Sequence, residues 1–177
     1  LPFVLLAVPA QGQEQTPAKV FKGYLSETEQ SVQIAGKTIA LTTRAGTHLV
    51  RDESNEEMAL MGFTSYFKVN PEANRPIVFA FNGGPGSSSF WLHMGILGPK
   101  RIAVNDPEFT PGAPYQIVNN EYSILDVADL VMIDPVGTGL SIPIGTYEFK
   151  DFWGVDQDIR SLSLFITQFL IKYRRMN

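Results

Sequence analysis

Two short apolar runs constrain this chain more than anything else in it. Ile77-Val78-Phe79-Ala80-Phe81 and Leu130-Val131-Met132-Ile133 are continuous rather than alternating, and each ends in a turn rich in glycine and proline. A strand that is apolar on both sides needs cover on both faces, which is the situation of central parallel strands in an α/β sheet. The first run leads into Asn82-Gly83-Gly84-Pro85-Gly86 and the second into Asp134-Pro135-Val136-Gly137-Thr138-Gly139. Ligands of open α/β sheets bind beyond the carboxyl ends of the strands, so both turns are expected at one edge of one cleft.

The segments around these runs read differently. Lys19 to Ile39 and Leu41 to Leu49 carry strand-like stretches punctuated by Gly23, Gly36 and Gly46, with alternation at Ser31-Val32-Gln33-Ile34. They predict antiparallel hairpins. The second half of Glu56 to Val69, with Phe63-Thr64-Ser65-Tyr66-Phe67, also predicts a strand, whereas the first half is open to a helical turn. Asn105 to Asn120, with Pro107, Pro111, Gly112 and Pro114, reads as a connecting loop.

From Asp151, the residues Phe152, Val155, Ile159, Leu162, Ile166, Phe169 and Tyr173 recur at three- and four-residue steps. That spacing predicts an amphipathic helix of about six turns running almost to Asn177. A helix returning along a sheet normally feeds another parallel strand, so residues 16–177 are expected to be an incomplete domain whose missing C-terminal part is its nearest partner. At the other end, Leu1 to Ala10 is an apolar run followed by the polar Gln11 to Gln15. Residues 1–15 read as a partial signal peptide and polar leader, pointing to a secreted or periplasmic protein; a buried strand is the alternative. Ten residues do not span a bilayer, and no integral membrane segment is expected.

Composition removes several functions. With 44% apolar and 18% charged residues the chain can bury a core, and disorder is a poor reading. A net charge of -4, with no basic tract longer than Lys172 to Arg175, argues against nucleic acid. There is no cysteine and there are only two histidines, so neither a thiolate zinc site nor a His-rich metal site is expected, and no cofactor is implied. His48 is expected to be exposed, and His93, beside Trp91, Leu92 and Ile96, to be packed or hydrogen-bonded. Asp129 and Asp134 flank a buried strand, where a carboxylate usually accepts backbone N–H bonds and supports a turn.

The glycine turn carries the chemistry. Three glycines and a proline leave its backbone little side-chain cover, which suits an oxyanion or carboxylate; a tight strand-to-helix loop is the other reading. A nucleotide-binding loop needs Lys-Ser or Lys-Thr after the last glycine, and here Gly86 is followed by Ser87-Ser88-Ser89.

Phe81 to Ser89, followed by Leu97-Gly98-Pro99, resembles the Asn-Gly-Gly-Pro-Gly-Cys/Ser-Ser-Ser block and downstream Gly-Pro of serine carboxypeptidases. Asp129 to Ser141 is similar to that family's Ile-Asp-x-Pro-Val-Gly-Thr-Gly-Phe-Ser turn, one residue shorter before the proline. The resemblance covers roughly residues 20–177. It implies the N-terminal part of an α/β-hydrolase fold, a mixed sheet with antiparallel N-terminal hairpins. It also implies release of C-terminal residues from a peptide or protein through an acyl-enzyme, with an oxyanion-hole N–H at Gly84 and substrate carboxylate binding at Asn82 and Gly83. Two departures stand out: Ala80 occupies the family's Trp position, and Ile96 stands where a Glu often precedes Leu-Gly-Pro. They leave room for an acyltransferase or esterase of the same family.

The nucleophile elbow, Gly-x-Ser-x-Gly or Gly-Glu-Ser-Tyr, occurs nowhere in the chain. Ser87, Ser88 and Ser89 follow the glycines instead of sitting on a strand-to-helix elbow and are not substitutes. The expectation is a carboxypeptidase parent whose catalytic Ser, Asp and His are absent here, leaving this chain inactive alone; a non-catalytic peptide-binding product is the alternative.

Overall fold

In the computed structural model, residues 23–83, 86–104 and 112–176 are described. The apolar leader therefore lies outside the described residues.

The first hairpin turns on Ala35 and Gly36, which both take positive φ, 47° and 74°. That conformation matches the right-handed twist of the strands it joins. Strand β1 (Leu25–Ile34) runs antiparallel to β2 (Lys37–Arg51), which pairs in turn with β3 (Glu57–Lys68). Glu57 onward is strand throughout, and the helical option for this stretch falls away. The hydrogen-bond ladder with β2 and burial of Met58 to Phe63 outweigh local helical preference.

Strand β4 (Ile77–Phe81) starts after the Pro71 to Pro76 loop, and the chain then crosses over to β7 (Asp129–Ile133). The two pair in parallel, from Ile77 opposite Asp129 to Phe81 opposite Ile133. β7 lies between β3 and β4, giving the order β1-β2-β3-β7-β4, and the two-residue β8 (Ile142–Pro143) pairs with β3. The expected mixed sheet with antiparallel hairpins is thus present. β7 is buried along its whole length, as its composition requires. β4 is not: it is half-buried and Phe81 is 43% exposed. Among the described residues β4 is the outermost strand, so it has a ladder on one side alone.

Between them, α1 (Phe90–Leu92) passes into a π-helical turn, His93–Leu97. Strand β5 (Lys100–Ile102) pairs with β6 (Ile117–Asn119), so the end of the expected connecting loop is a strand. The long helix α2 spans Val155–Lys172 and starts later than its periodicity predicts. Phe149–Phe152 form a 3-10 turn closed by reciprocal Glu148 and Asp151 capping bonds, and Gly154 at φ 137° separates it from α2. Asp156 and Asp158 in the first turn and Lys172 in the last complement the helix dipole.

Each face of the sheet has its own core. On one, Leu162, Phe165 and Phe169 of α2 pack on Val50, Met61, Phe63, Val131 and Ile133. On the other, Leu125, with Leu92 and Leu97 beside it, covers Ile34, Leu41, Tyr66, Leu130 and Met132. Val155 and Ile159, counted in the predicted apolar stripe, are instead exposed; the seam is carried by Phe165 and Phe169.

A buried ion network closes the amino end of the parallel pair. Asp129 is fully buried, and its Oδ1 accepts Arg75 Nε at 2.9 Å and the Lys68 N–H at 2.9 Å. Its Oδ2 accepts Arg175 Nη1 at 2.6 Å. Arg75 also donates to the carbonyls of Leu125 and Ala128, and Arg175 to that of Arg75. Removing one member of such a buried pair typically costs about 3–5 kcal/mol, because the partner charge is left uncompensated.

His48 is buried rather than exposed. It projects from β2 beneath α2, its ring 5.3 Å from that of Phe165 and 6.0 Å from that of Phe169. Neither ring nitrogen has a hydrogen-bond partner among the described residues. Burial, with the positive charge of Lys172, lowers its pKa to about 4. Between that value and an unfolded value near 6.5, the unfolded chain binds more protons. His48 therefore contributes stability that is full above about pH 6.5 and is lost as pH falls toward 4, by up to about 3 kcal/mol. His48→Phe should flatten this part of the stability profile measured by urea unfolding from pH 7 to 4; an unchanged slope would remove His48 as its source.

Candidate active site

The parallel register ends at Phe81 opposite Ile133, so the two glycine turns leave the sheet side by side. They are joined directly. The buried Ser89 donates its hydroxyl to the Ile133 carbonyl, and its N–H donates to Asp134 Oδ1 at 2.8 Å. The expectation that both turns share one edge is met, and Asp134 supports a turn as its position predicts.

The second turn is knitted by its own side chains. Thr138 Oγ1 donates to the Pro135 carbonyl at 2.8 Å and Ser141 Oγ to that of Asp134 at 2.6 Å, while Gly62 N–H donates to Ser141 Oγ at 2.7 Å. Gly137 and Gly139 have φ of 90° and 51°. These left-handed positions explain why glycine recurs here.

Of the expected site residues, Asn82 is half-buried and its Nδ2 donates to the neighbouring Gly83 carbonyl at 3.1 Å. Gly83 is exposed, and among the described residues outside its chain neighbours no atom lies within 4 Å of where a Cβ would stand. Gly84, the expected oxyanion donor, lies outside the described residues. Ala80, on β4, packs against the core cluster that contains Met132 and Tyr66. Ile96, at the π-helical turn, is 60% exposed.

His93 has the structural role expected of it. Its Nε2 lies 2.5 Å from the Tyr66 hydroxyl, and burial holds its pKa below the usual histidine value, partly offset by the charge of Asp134. Burial also pushes the Tyr66 hydroxyl up to about 12. The imidazole paired with the phenol anchors a turn. Gly98 sits so close to this ring that a Cβ would meet His93 Cδ2 at 2.6 Å.

Sequence reasoning missed Asn120. It is buried and bridges the π-helical turn to the second half of the crossover, donating to the carbonyls of Ile96 at 2.7 Å and Gly98 at 2.8 Å. Its position at the end of a loop gives no local signal, because both partners lie more than twenty residues away.

A cavity of about 260 Å³ adjoins the two turns, lined by Ser88, Ser89, His93, Met132, Asp134 and Leu140 among others. Among the described residues no group of three His, Asp or Glu side chains is placed to hold a metal ion, and no helix is long and apolar enough to cross a membrane.

A mixed sheet with paired glycine turns at the carboxyl ends of its parallel strands defines an α/β protein. The family model described as serine carboxypeptidase matches residues 37–177, and the chain belongs to that family. Among similar proteins, a vacuolar serine-type carboxypeptidase of Saccharomyces cerevisiae is 37% identical over 73 residues, 41% of this chain and 13% of that protein. Pheromone-processing carboxypeptidases of Clavispora lusitaniae and Saccharomyces cerevisiae are 34% identical over 107 residues and 30% identical over 125 residues. These alignments cover 60% and 70% of this chain and 14% and 16% of the relatives. The chain therefore spans a small part of the length of the curated relatives it matches.

Tyr66→Phe leaves His93 Nε2 without its partner in a half-buried setting and should destabilise the protein by about 1–3 kcal/mol. Urea unfolding measures this, and a loss below about 0.5 kcal/mol would show that the pair does not anchor the turn.

Proposed function

We propose that this chain supplies the oxyanion and carboxylate half of a serine carboxypeptidase site within a longer protein. The observation that carries the reading is the join between the two family turns, Ser89 to Ile133 and Asp134, at the carboxyl end of the parallel strands. The exposure of Gly83, whose Cβ position meets nothing among the described residues outside its chain neighbours, supports it.

In this reading a serine, supplied by residues other than these 177, attacks the last peptide carbonyl and passes its proton to a histidine base. The tetrahedral oxyanion accepts a hydrogen bond from the Gly84 N–H, while Asn82 and Gly83 hold the C-terminal carboxylate of the substrate. Collapse expels the terminal amino acid, whose nitrogen takes the proton from histidine, and water then hydrolyses the acyl-enzyme. Losing one oxyanion donor typically costs about a hundred- to a thousandfold in turnover, while losing nucleophile and base costs on the order of a millionfold. These 177 residues alone should therefore show no measurable peptidase activity. The partners are the C-terminus of a peptide or protein and the remainder of the domain, and the location is the secretory pathway or beyond it. The apolar leader and the vacuolar relative support that location.

Asn82→Ala in the longer protein should raise KM for peptides with a free C-terminal carboxylate by about tenfold or more, the worth of a hydrogen bond to a charged group. The same peptides carrying a C-terminal amide should change far less. Equal losses for acid and amide substrates would remove Asn82 from carboxylate recognition.

A further inference from the structure

Asp134 is held more tightly than a turn residue needs. Its N–H donates to the Gly62 carbonyl at 2.9 Å, and its own carbonyl accepts Ser141 Oγ at 2.6 Å. Its carboxylate fills a notch that two glycines leave open. A Cβ at Gly139 would stand 2.0 Å from Oδ2, and one at Gly62 would stand 3.3 Å from it.

From that seat, Oδ1 accepts the Ser89 N–H at the far end of the first glycine turn. Ser89 is fastened twice more, through its hydroxyl to the Ile133 carbonyl and through its own carbonyl, which accepts the His93 N–H at 2.9 Å. Near its start, among the described residues, the Asn82 side chain bonds to the Gly83 carbonyl and the Cβ position of Gly83 meets nothing within 4 Å. Ser89 is thus a bonded point at the far end of the turn, held by the end of β7 and the residue that follows it.

We propose that Asp134 is a positioning residue for the oxyanion turn, holding its far end at Ser89 without touching substrate. The proposal rests on the carboxypeptidase reading above. A donor displaced from the forming oxyanion loses transition-state stabilisation, while ground-state binding through Asn82 is largely kept. Asp134 should therefore act on kcat rather than on KM.

The test uses the longer protein, with active sites counted by complete reaction with a serine-directed fluorophosphonate so that misfolded molecules drop out. Asp134→Ala should lower kcat per titrated site by about ten- to a hundredfold, with KM within about threefold. Asp134→Asn, whose amide oxygen still accepts the Ser89 N–H, should recover most of that loss. Gly139→Ala reaches the same end by pushing the carboxylate out of its notch and should resemble Asp134→Ala. Equal losses for Asp134→Ala and Asp134→Asn, or a rise in KM at unchanged kcat, would overturn the proposal. If the unmodified longer protein hydrolyses no peptide, the carboxypeptidase reading fails, and with it the catalytic role. The clamp is read separately by amide hydrogen exchange in the 177-residue chain. Ser89 N–H should exchange at least about tenfold faster in Asp134→Ala than in Asp134→Asn. Equal exchange would show that Asp134 does not hold the turn.

Discussion

A carboxylate cut off from solvent must have its charge answered, and Asp129 organises the fold because of it. Its two oxygens draw together the end of β3 through Lys68, the approach to β4 through Arg75 and the tail beyond α2 through Arg175. Lys68 and Arg75 are close in sequence, but Asp129 is more than fifty residues beyond them and Arg175 is further still. A partial set of these contacts would leave a buried charge uncompensated, so the arrangement favours all of them at once. Asp129 is also the residue opposite Ile77 where the parallel pairing begins. Holding that register fixes the other end of the pair, where Phe81 meets Ile133 and the two glycine turns emerge together.

The sheet thus separates two jobs between its ends. At the amino end of the parallel strands, polar groups are buried and fully engaged. At the carboxyl end, Gly83 is exposed, and the polar groups Ser89, Asp134 and Ser141 are spent on bracing the turns. On the proposed carboxypeptidase reading, an oxyanion needs N–H donors in front and a rigid support behind, since movement at the moment of reaction wastes the stabilisation they offer.

Much of this was legible in sequence because it is local. Continuous apolar runs gave the parallel pair, and the two long glycine-containing blocks gave the family and the common edge. Burial of β7 followed from its composition. What escaped depended on distant contacts. His48 looks like a polar residue in a surface hairpin until α2 folds over β2 and presents Phe165 and Phe169 to it. Val155 and Ile159 obey the helical period yet are exposed, while Leu162, Phe165 and Phe169 of the same helix are buried. β4 carries the composition of a central strand while lying outermost among the described residues. Asn120 serves partners more than twenty residues away, which no window along the chain detects.

The account turns on whether the first glycine turn receives the reacting end of a peptide. The direct measurement is a crystal structure of the longer protein carrying a peptidyl phosphonate on its serine, with a free carboxylate on the leaving-group side. The account predicts a phosphonyl oxygen within hydrogen-bond distance of the Gly84 N–H, and the carboxylate against Asn82 and Gly83. A phosphonyl oxygen held entirely by other donors, with the turn after β4 empty of ligand, would contradict it.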